Sequence, residues 1–116
     1  MTHDNSIPTK LSKQEFDEYP SYKGGAFWLE ERAWFRLGGT LGTVIFDHAD
    51  ADWSFVALRA DKDKADLYCA VDLGYNFPTE DAAAKALWVA MAMAEEAKMA
   101  SRTTDEWLNA AGIGAP

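Results

Sequence analysis

The segment Asp47-His48-Ala49-Asp50-Ala51-Asp52 has the densest group of potential metal ligands in the sequence. Carboxylates and an imidazole at this spacing are able to bind a divalent cation. A calcium loop that begins at Asp50 needs glycine at its sixth position and glutamate at its twelfth, where the sequence has Phe55 and Asp61. A solvated turn explains the segment better, so we expect no metal ion and no cofactor.

Candidates for acid–base or nucleophilic catalysis are few. The chain contains two histidines, His3 and His48, and one cysteine, Cys69. None of these residues lies in the sequence context of a known nucleophile, and the glycine cluster at 38–42 lacks the lysine and the spacing of a phosphate-binding loop. Cys69 alternates with polar positions on a strand pattern, which favours a packed thiol over a reactive one. We therefore expect a protein that is not an enzyme.

Charge gives the clearest indication of a partner. The 116 residues carry 19 acidic and 11 basic side chains, for a net charge of −8, and residues 43–81 account for −6 of it. Direct nucleic-acid binding is not expected, because phosphate contacts need clustered lysine and arginine. An acidic segment instead attracts a basic protein surface. The sequence contains neither a membrane-length apolar stretch nor the features of a signal peptide, so we expect a cytoplasmic protein without a membrane partner.

The elements that would position these acids are strands. Three are predicted, at Leu41–Asp47, Trp53–Ala60 and Ala65–Leu73. Their connections are so short that neighbouring strands must be antiparallel, which places the two acidic loops at opposite ends of a meander. Residues 26–37 fit a helix or a hairpin, and their aromatic content and flanking glycines favour a strand.

Helical patterns flank these strands. Ser12 followed by Glu15 is the signature of a capping box, for a short helix that ends near Pro20. Thr79 is the expected N-cap of a long helix, and alanines then repeat on one face at 3.6-residue spacing to about Met99. An alanine face allows the helix to lie close to a sheet.

The fold class follows from this order of elements. A short last helix is expected to begin at Thr103 or Thr104 and to end at the glycines after it. The sequence predicts one α+β domain over residues 1–116, with a flexible tail at 1–9. Its core is an antiparallel meander of three to four strands packed against one long alanine-rich helix, with short N- and C-terminal helices.

The acidic loops and the aromatic side chains near them form the predicted partner surface. Strand 53–60 has two possible phases: its even-numbered residues face the helix and leave Trp53 outside, or the reverse. Exposed aromatics ringed by acids have the composition of an interface hot spot. The predicted contact residues are Asp47, Asp50, Asp52, Trp53, Asp61, Asp63, Asp66 and Tyr68. We favour the loop at 47–52, because two lysines partly neutralise the second loop.

The aromatic meander, the segment Phe77-Pro78-Thr79-Glu80-Asp81-Ala82 and the alanine-rich helix after it resemble small acidic proteins of bacteriophages and mobile elements, anti-CRISPR proteins above all. The resemblance covers roughly residues 41–100. It implies a non-catalytic inhibitor that binds stoichiometrically to a host defence complex, such as a CRISPR effector. It also implies that acids occupy a basic surface meant for nucleic acid, in the host cytoplasm if the protein is phage-encoded.

Other interpretations stay open at this stage. The chain could be a small-ligand-binding or adaptor module that uses tryptophan and tyrosine rings as stacking walls. An apolar interface around Trp28 and Trp34 would replace the acidic one if binding proved insensitive to salt. A second copy of the chain could also cover the open face of the sheet, as a homodimer.

Overall fold

The chain folds into one antiparallel sheet with a long helix on one face. The computed structural model describes residues 7–21, 27–61 and 67–111, with side chains as far as Ala97 and without that of Asp61. The elements are β1 (Thr9–Leu11), α1 (Lys13–Asp17), β2 (Leu29–Leu37), β3 (Thr40–Asp47), β4 (Asp52–Asp61), β5 (Leu67–Phe77) and α2 (Glu80–Ala111). The strands lie in the order β1-β2-β3-β4-β5, each antiparallel to its neighbours. The predicted α+β class is confirmed.

The sheet has five strands, where three to four were expected. The ambiguous segment at 26–37 is a strand from Leu29 onward, because its aromatic residues pair across the sheet with β3. Gly38 begins the two-residue connection to β3 with a φ of 59°, a left-handed conformation that glycine adopts without steric cost. The fifth strand is the short β1, which pairs Thr9 with Arg36 and Leu11 with Trp34. The predicted flexible tail at 1–9 includes Pro8, which is buried, and Thr9, which begins β1; residues 1–6 lie outside the described residues.

The predicted separate C-terminal helix is wrong, because α2 runs without interruption for 32 residues to Ala111. The segment 100–104 contains two threonines but neither glycine nor proline, so nothing in it forces the helix to end. At 1.5 Å per residue α2 is about 48 Å long. The longest strand has 11 residues and spans about 36 Å, so the helix is longer than the sheet beneath it. No helix among the described residues is both long and apolar enough to cross a bilayer.

The short helix α1 begins as its sequence predicts. The Ser12 hydroxyl accepts from the Glu15 backbone amide at 3.1 Å, and the Glu15 carboxylate accepts from the Ser12 amide at 2.8 Å. This reciprocal capping box satisfies two amides that the first turn leaves without partners. Phe16 of α1 is buried with Leu11 and Leu41 against the sheet face opposite α2. The helix ends at Asp17, three residues before Pro20.

The core lies between α2 and the other face of the sheet. Ala83, Leu87, Ala90 and Met91 of α2 are buried there, which confirms the predicted alanine face. Phe55 and Ala57 of β4 are buried in the same cluster, so the odd-numbered residues of β4 face the helix. Of the two phases left open for this strand, the structure has the second.

Candidate functional site

The favoured acidic loop is the hairpin between β3 and β4. Asp47 and Asp52 are the last paired residues, directly opposite each other on the two strands. One carboxylate oxygen of Asp47 accepts from the backbone amides of Ala49 and Asp50, at 2.9 and 3.3 Å, and so fixes the turn. Ala51 completes the turn with a φ of 54°, in the left-handed region. These local contacts hold three aspartates on one small piece of backbone.

The three carboxylates of this loop repel each other. Ligand atoms of Asp47, Asp50 and Asp52 all lie within 4.8 Å of one another. Partial burial raises the pKa of Asp52, and the charges of Asp47 and Asp50 raise it further. Like charges on directly opposite strand positions also destabilise a pair of strands. The loop is therefore a concentrated negative charge that its own chain does not neutralise with a lysine or arginine side chain in any described ion pair.

A hydrogen-bonded network of Glu30, Arg32 and His48 lies beside this loop, with Glu30 and Arg32 on β2. The Glu30 carboxylate accepts from His48 Nε2 at 2.8 Å and from Arg32 Nε at 3.1 Å. The hydrogen bond from His48 lowers the pKa of Glu30, and the positive charge of Arg32 acts in the same direction. The Glu30 side chain is half exposed. Glu30 is thus held ionised at an accessible position next to the loop carboxylates.

Aromatic rings complete this end of the molecule. Phe46 and Trp53 are paired across β3 and β4, with ring centres 4.9 Å apart, and both are half-buried. Phe27 and Trp28 precede β2 and are 94% and 44% exposed. The Trp28 carbonyl accepts from the His48 amide at 2.8 Å, which ties this pair to the acidic loop. We call the carboxylates and rings of this end the acidic–aromatic end: Asp47, Asp50, Asp52, Phe27, Trp28, Phe46 and Trp53.

The structure brings together only half of the predicted contact residues. Asp47, Asp50, Asp52 and Trp53 lie at the acidic–aromatic end. Asp61 ends β4 at the opposite end of the sheet, eight residues beyond Trp53, which is a separation of about 26 Å. Asp63 and Asp66 lie outside the described residues.

Tyr68 belongs to a different surface. It is the second residue of β5 and pairs with Ala60, next to Asp61. Its ring lies edge-on to Tyr19 with centres 5.5 Å apart, on the face covered by α1. Of the two orientations left open for Trp53, the structure has the inward one: Trp53 faces the α2 side and packs against the core beneath that helix. Its other contacts, with Phe46 and Arg32, place it at the boundary between core and surface.

The predicted contact residues include neither Phe27, Phe46, Glu30 nor Arg32, and Trp28 is named only for the alternative apolar interface. The register of β2 against β3 pairs Glu30 with Phe46 and so brings the two strands' ends together. A regular hairpin through Gly38 would place Glu31 opposite Phe46, and only the register shift between Glu31 and Ala33 brings Glu30 there instead. The position of Arg32 depends on an irregularity in β2 that no residue type in the segment signals.

One further concavity lies on the face covered by α1. It has a volume of about 370 Å³ and is lined by Leu11, Glu15, Glu18, Tyr19 and Arg36. Glu15 already contributes a carboxylate oxygen to the capping box. The pocket therefore offers the ring of Tyr19, the guanidinium of Arg36 and two carboxylates, of which that of Glu15 already accepts a hydrogen bond in the capping box.

Comparisons with known proteins leave the family open. No family model, no curated protein and no solved structure matches this chain. The functional argument therefore depends on the chemistry of the side chains described above.

Proposed function

We propose that this chain is a non-catalytic protein that binds a basic surface of a partner protein through its acidic–aromatic end. The observation that carries the proposal is the close group of carboxylates on Asp47, Asp50 and Asp52, at the end of the sheet where Phe27 and Trp28 are exposed. Carboxylates attract and orient a cationic surface over long distances. Exposed aromatic rings supply the apolar contact that keeps a partner bound.

The resemblance to anti-defence proteins extends this proposal to an inhibitor. Its partner would be the nucleic-acid-binding surface of a host defence complex, such as a CRISPR effector, in the cytoplasm of the host. A cluster of carboxylates competes with phosphates for the same lysines and arginines, because both present oxygen anions to them. Inhibition would then be stoichiometric and would weaken as the salt concentration rises.

The test compares the two acidic loops. Asp50→Lys with Asp52→Lys reverses the charge of two residues of the favoured loop. Asp61→Lys with Asp63→Lys is the matched control: Asp61 ends β4 at the opposite end of that strand, and Asp63 follows two residues later in the sequence. At physiological salt the screening length is about 8 Å, roughly a third of the distance between the ends. We expect the first pair to lower the association rate for an arginine-rich decapeptide and to reduce its salt dependence, and the control pair to change both much less. Equal effects of the two pairs, or peptide binding that is independent of salt, would contradict the proposal.

A second candidate function rests on the 370 Å³ pocket, which falls within the size range of small-ligand sites. The chain would then be a small-ligand-binding module with Tyr19 as its stacking wall. Trp34 belongs to the neighbouring cluster of side chains, so a ligand in this pocket should change tryptophan fluorescence. Replacement of Tyr19 by alanine should abolish that change and leave peptide binding at the acidic–aromatic end intact.

A further inference from the structure

Arg32 places a guanidinium of this chain at the acidic–aromatic end. Its Cζ lies 5.3 Å from the centre of the Phe46 ring and 5.5 Å from that of Trp53. Its Nε lies 3.1 Å from Glu30 Oε2. Two ring faces and a carboxylate are the groups that bind a guanidinium group. The structure thus shows an arginine side chain in contact with the surface that is proposed to bind a basic partner.

A β-bulge directs Arg32 to this position. The register pairs Glu31 with Ile45 and Ala33 with Val44, which leaves Arg32 without an opposite residue. An extra residue of this kind redirects a side chain, and bulges are common beside functional sites. Ala33 is buried in the core beneath α2. The bulge therefore allows Ala33 to pack inside while its neighbour Arg32 covers the two rings.

The contacts of Arg32 are weak enough to exchange. The side chain is 39% exposed, and its ion-pair partner Glu30 is 50% exposed. Exposed ion pairs and cation–π contacts each contribute little, because water competes for the charged groups. A second guanidinium that brings further contacts to the loop carboxylates has more favourable interactions available than Arg32 makes.

We propose that the acidic–aromatic end recognises an arginine side chain of its partner, and that Arg32 occupies the recognition position until the partner's guanidinium displaces it. This inference rests on the proposed function and specifies its chemistry. Arginine is favoured over lysine, because a planar guanidinium stacks on Phe46 and Trp53 and pairs with a carboxylate through two N–H groups. Displacement leaves Arg32 in solvent and gives the partner access to Glu30.

Two substitutions separate displacement from simple charge. Arg32→Met removes the competing guanidinium, and Arg32→Lys keeps the charge while it loses the planar stacking group. Arg36→Met is the matched control, because it removes one positive charge farther along the same strand, where Arg36 lines the pocket beside α1. We expect Arg32→Met to bind an arginine-rich decapeptide about five- to twentyfold more tightly than the parent. The affinity of Arg32→Lys for this peptide should lie between those of the parent and Arg32→Met, and that of Arg36→Met should stay within about twofold of the parent.

A second measurement follows Arg32 directly in the unaltered protein. The ring currents of Phe46 and Trp53 should shift the Arg32 δ-methylene protons upfield in the free state. Saturation with the arginine peptide should return these resonances toward the values of a solvated side chain, and a lysine peptide of equal length should bind more weakly. This measurement still decides the matter if a substitution at residue 32 fails to fold.

The outcomes distinguish the two proposals. Failure of every form of the protein to bind the basic peptide would refute both. Peptide binding without tightening in Arg32→Met, or with unshifted Arg32 resonances at saturation, would refute the displacement and leave the proposed function standing. Equal affinity for the lysine peptide would refute the preference for arginine alone.

Discussion

The close approach of α2 to the sheet at Gly42 gives a prediction that tests the fold. A Cβ atom at this position would lie 2.7 Å from a methyl carbon of Leu87 and 2.8 Å from the sulfur of Met91. Ordinary carbon contacts are about 3.5–4.0 Å, so Gly42→Ala requires a movement of about 1 Å. Leu87 and Met91 are fully buried, and a close-packed interior has little space to receive them.

The expected cost is that of an overpacked core. Forcing one extra carbon into such a site destabilises a protein by about 1–3 kcal/mol. At about 4 °C per kcal/mol for a domain of this size, Gly42→Ala should lower Tm by about 4–12 °C. Urea and thermal unfolding, followed by circular dichroism, measure both quantities.

A double-mutant cycle with Leu87→Ala identifies the cause. Leu87→Ala alone should cost about 2–5 kcal/mol, because it leaves a cavity next to Gly42. In the double variant the added methyl group enters that cavity, so the combined loss should be smaller than the sum of the two single losses. A Gly42→Ala protein that melts with the parent, or strictly additive losses in the cycle, would show that the helix does not lie over Gly42 as described.

Two further predictions concern the core and the acidic loop. Ala90→Trp should destabilise the protein by about 1–3 kcal/mol or more through overpacking. Val89→Trp, on the exposed side of the same helix, should have little effect. Equal Tm values of the two variants would mean that the buried face is misassigned. Asp52→Asn should raise Tm at pH 7. The folded state raises the pKa of Asp52 above its ordinary value of 3.8, so the ionised carboxylate present at neutral pH destabilises the folded protein relative to the protonated form. The gain should vanish as the pH falls below about 3.8, and a gain independent of pH would implicate packing instead.

The parts of the fold that local rules determine were predictable from the sequence. The capping box at Ser12 needs only two residues in the right spacing, and the buried face of α2 needs only its 3.6-residue period. The wrong break near residue 100 has the same origin. A threonine pair is a local N-cap signal, but a helix that is already formed continues through it unless glycine or proline interrupts.

The parts that depend on strand register were not predictable. Alternation in β4 is compatible with either face, because Phe55 and Val56 are both apolar, and only the packing of Phe55 beneath α2 decides. The bulge at Arg32 is likewise a property of two paired strands. The three acids and Trp53 of the candidate site were therefore predicted from the sequence, and the arginine that lies over its rings was found only in three dimensions.

The arrangement of the acidic loop itself favours recognition over solubility. Acids that only keep a protein soluble serve equally well when they are spread over its surface. In this loop Asp47 lies directly opposite Asp52, Asp50 lies within 4.8 Å of both, and Ala51 occupies a left-handed conformation that glycine or asparagine would adopt more easily. Asp47 accepts two amide hydrogen bonds that hold the turn, but the like charges and the left-handed Ala51 lower the stability of the hairpin, and local costs of this kind concentrate at functional sites. A partner's guanidinium would convert the repulsion among these carboxylates into attraction, so binding would return stability that the like charges take from the free hairpin.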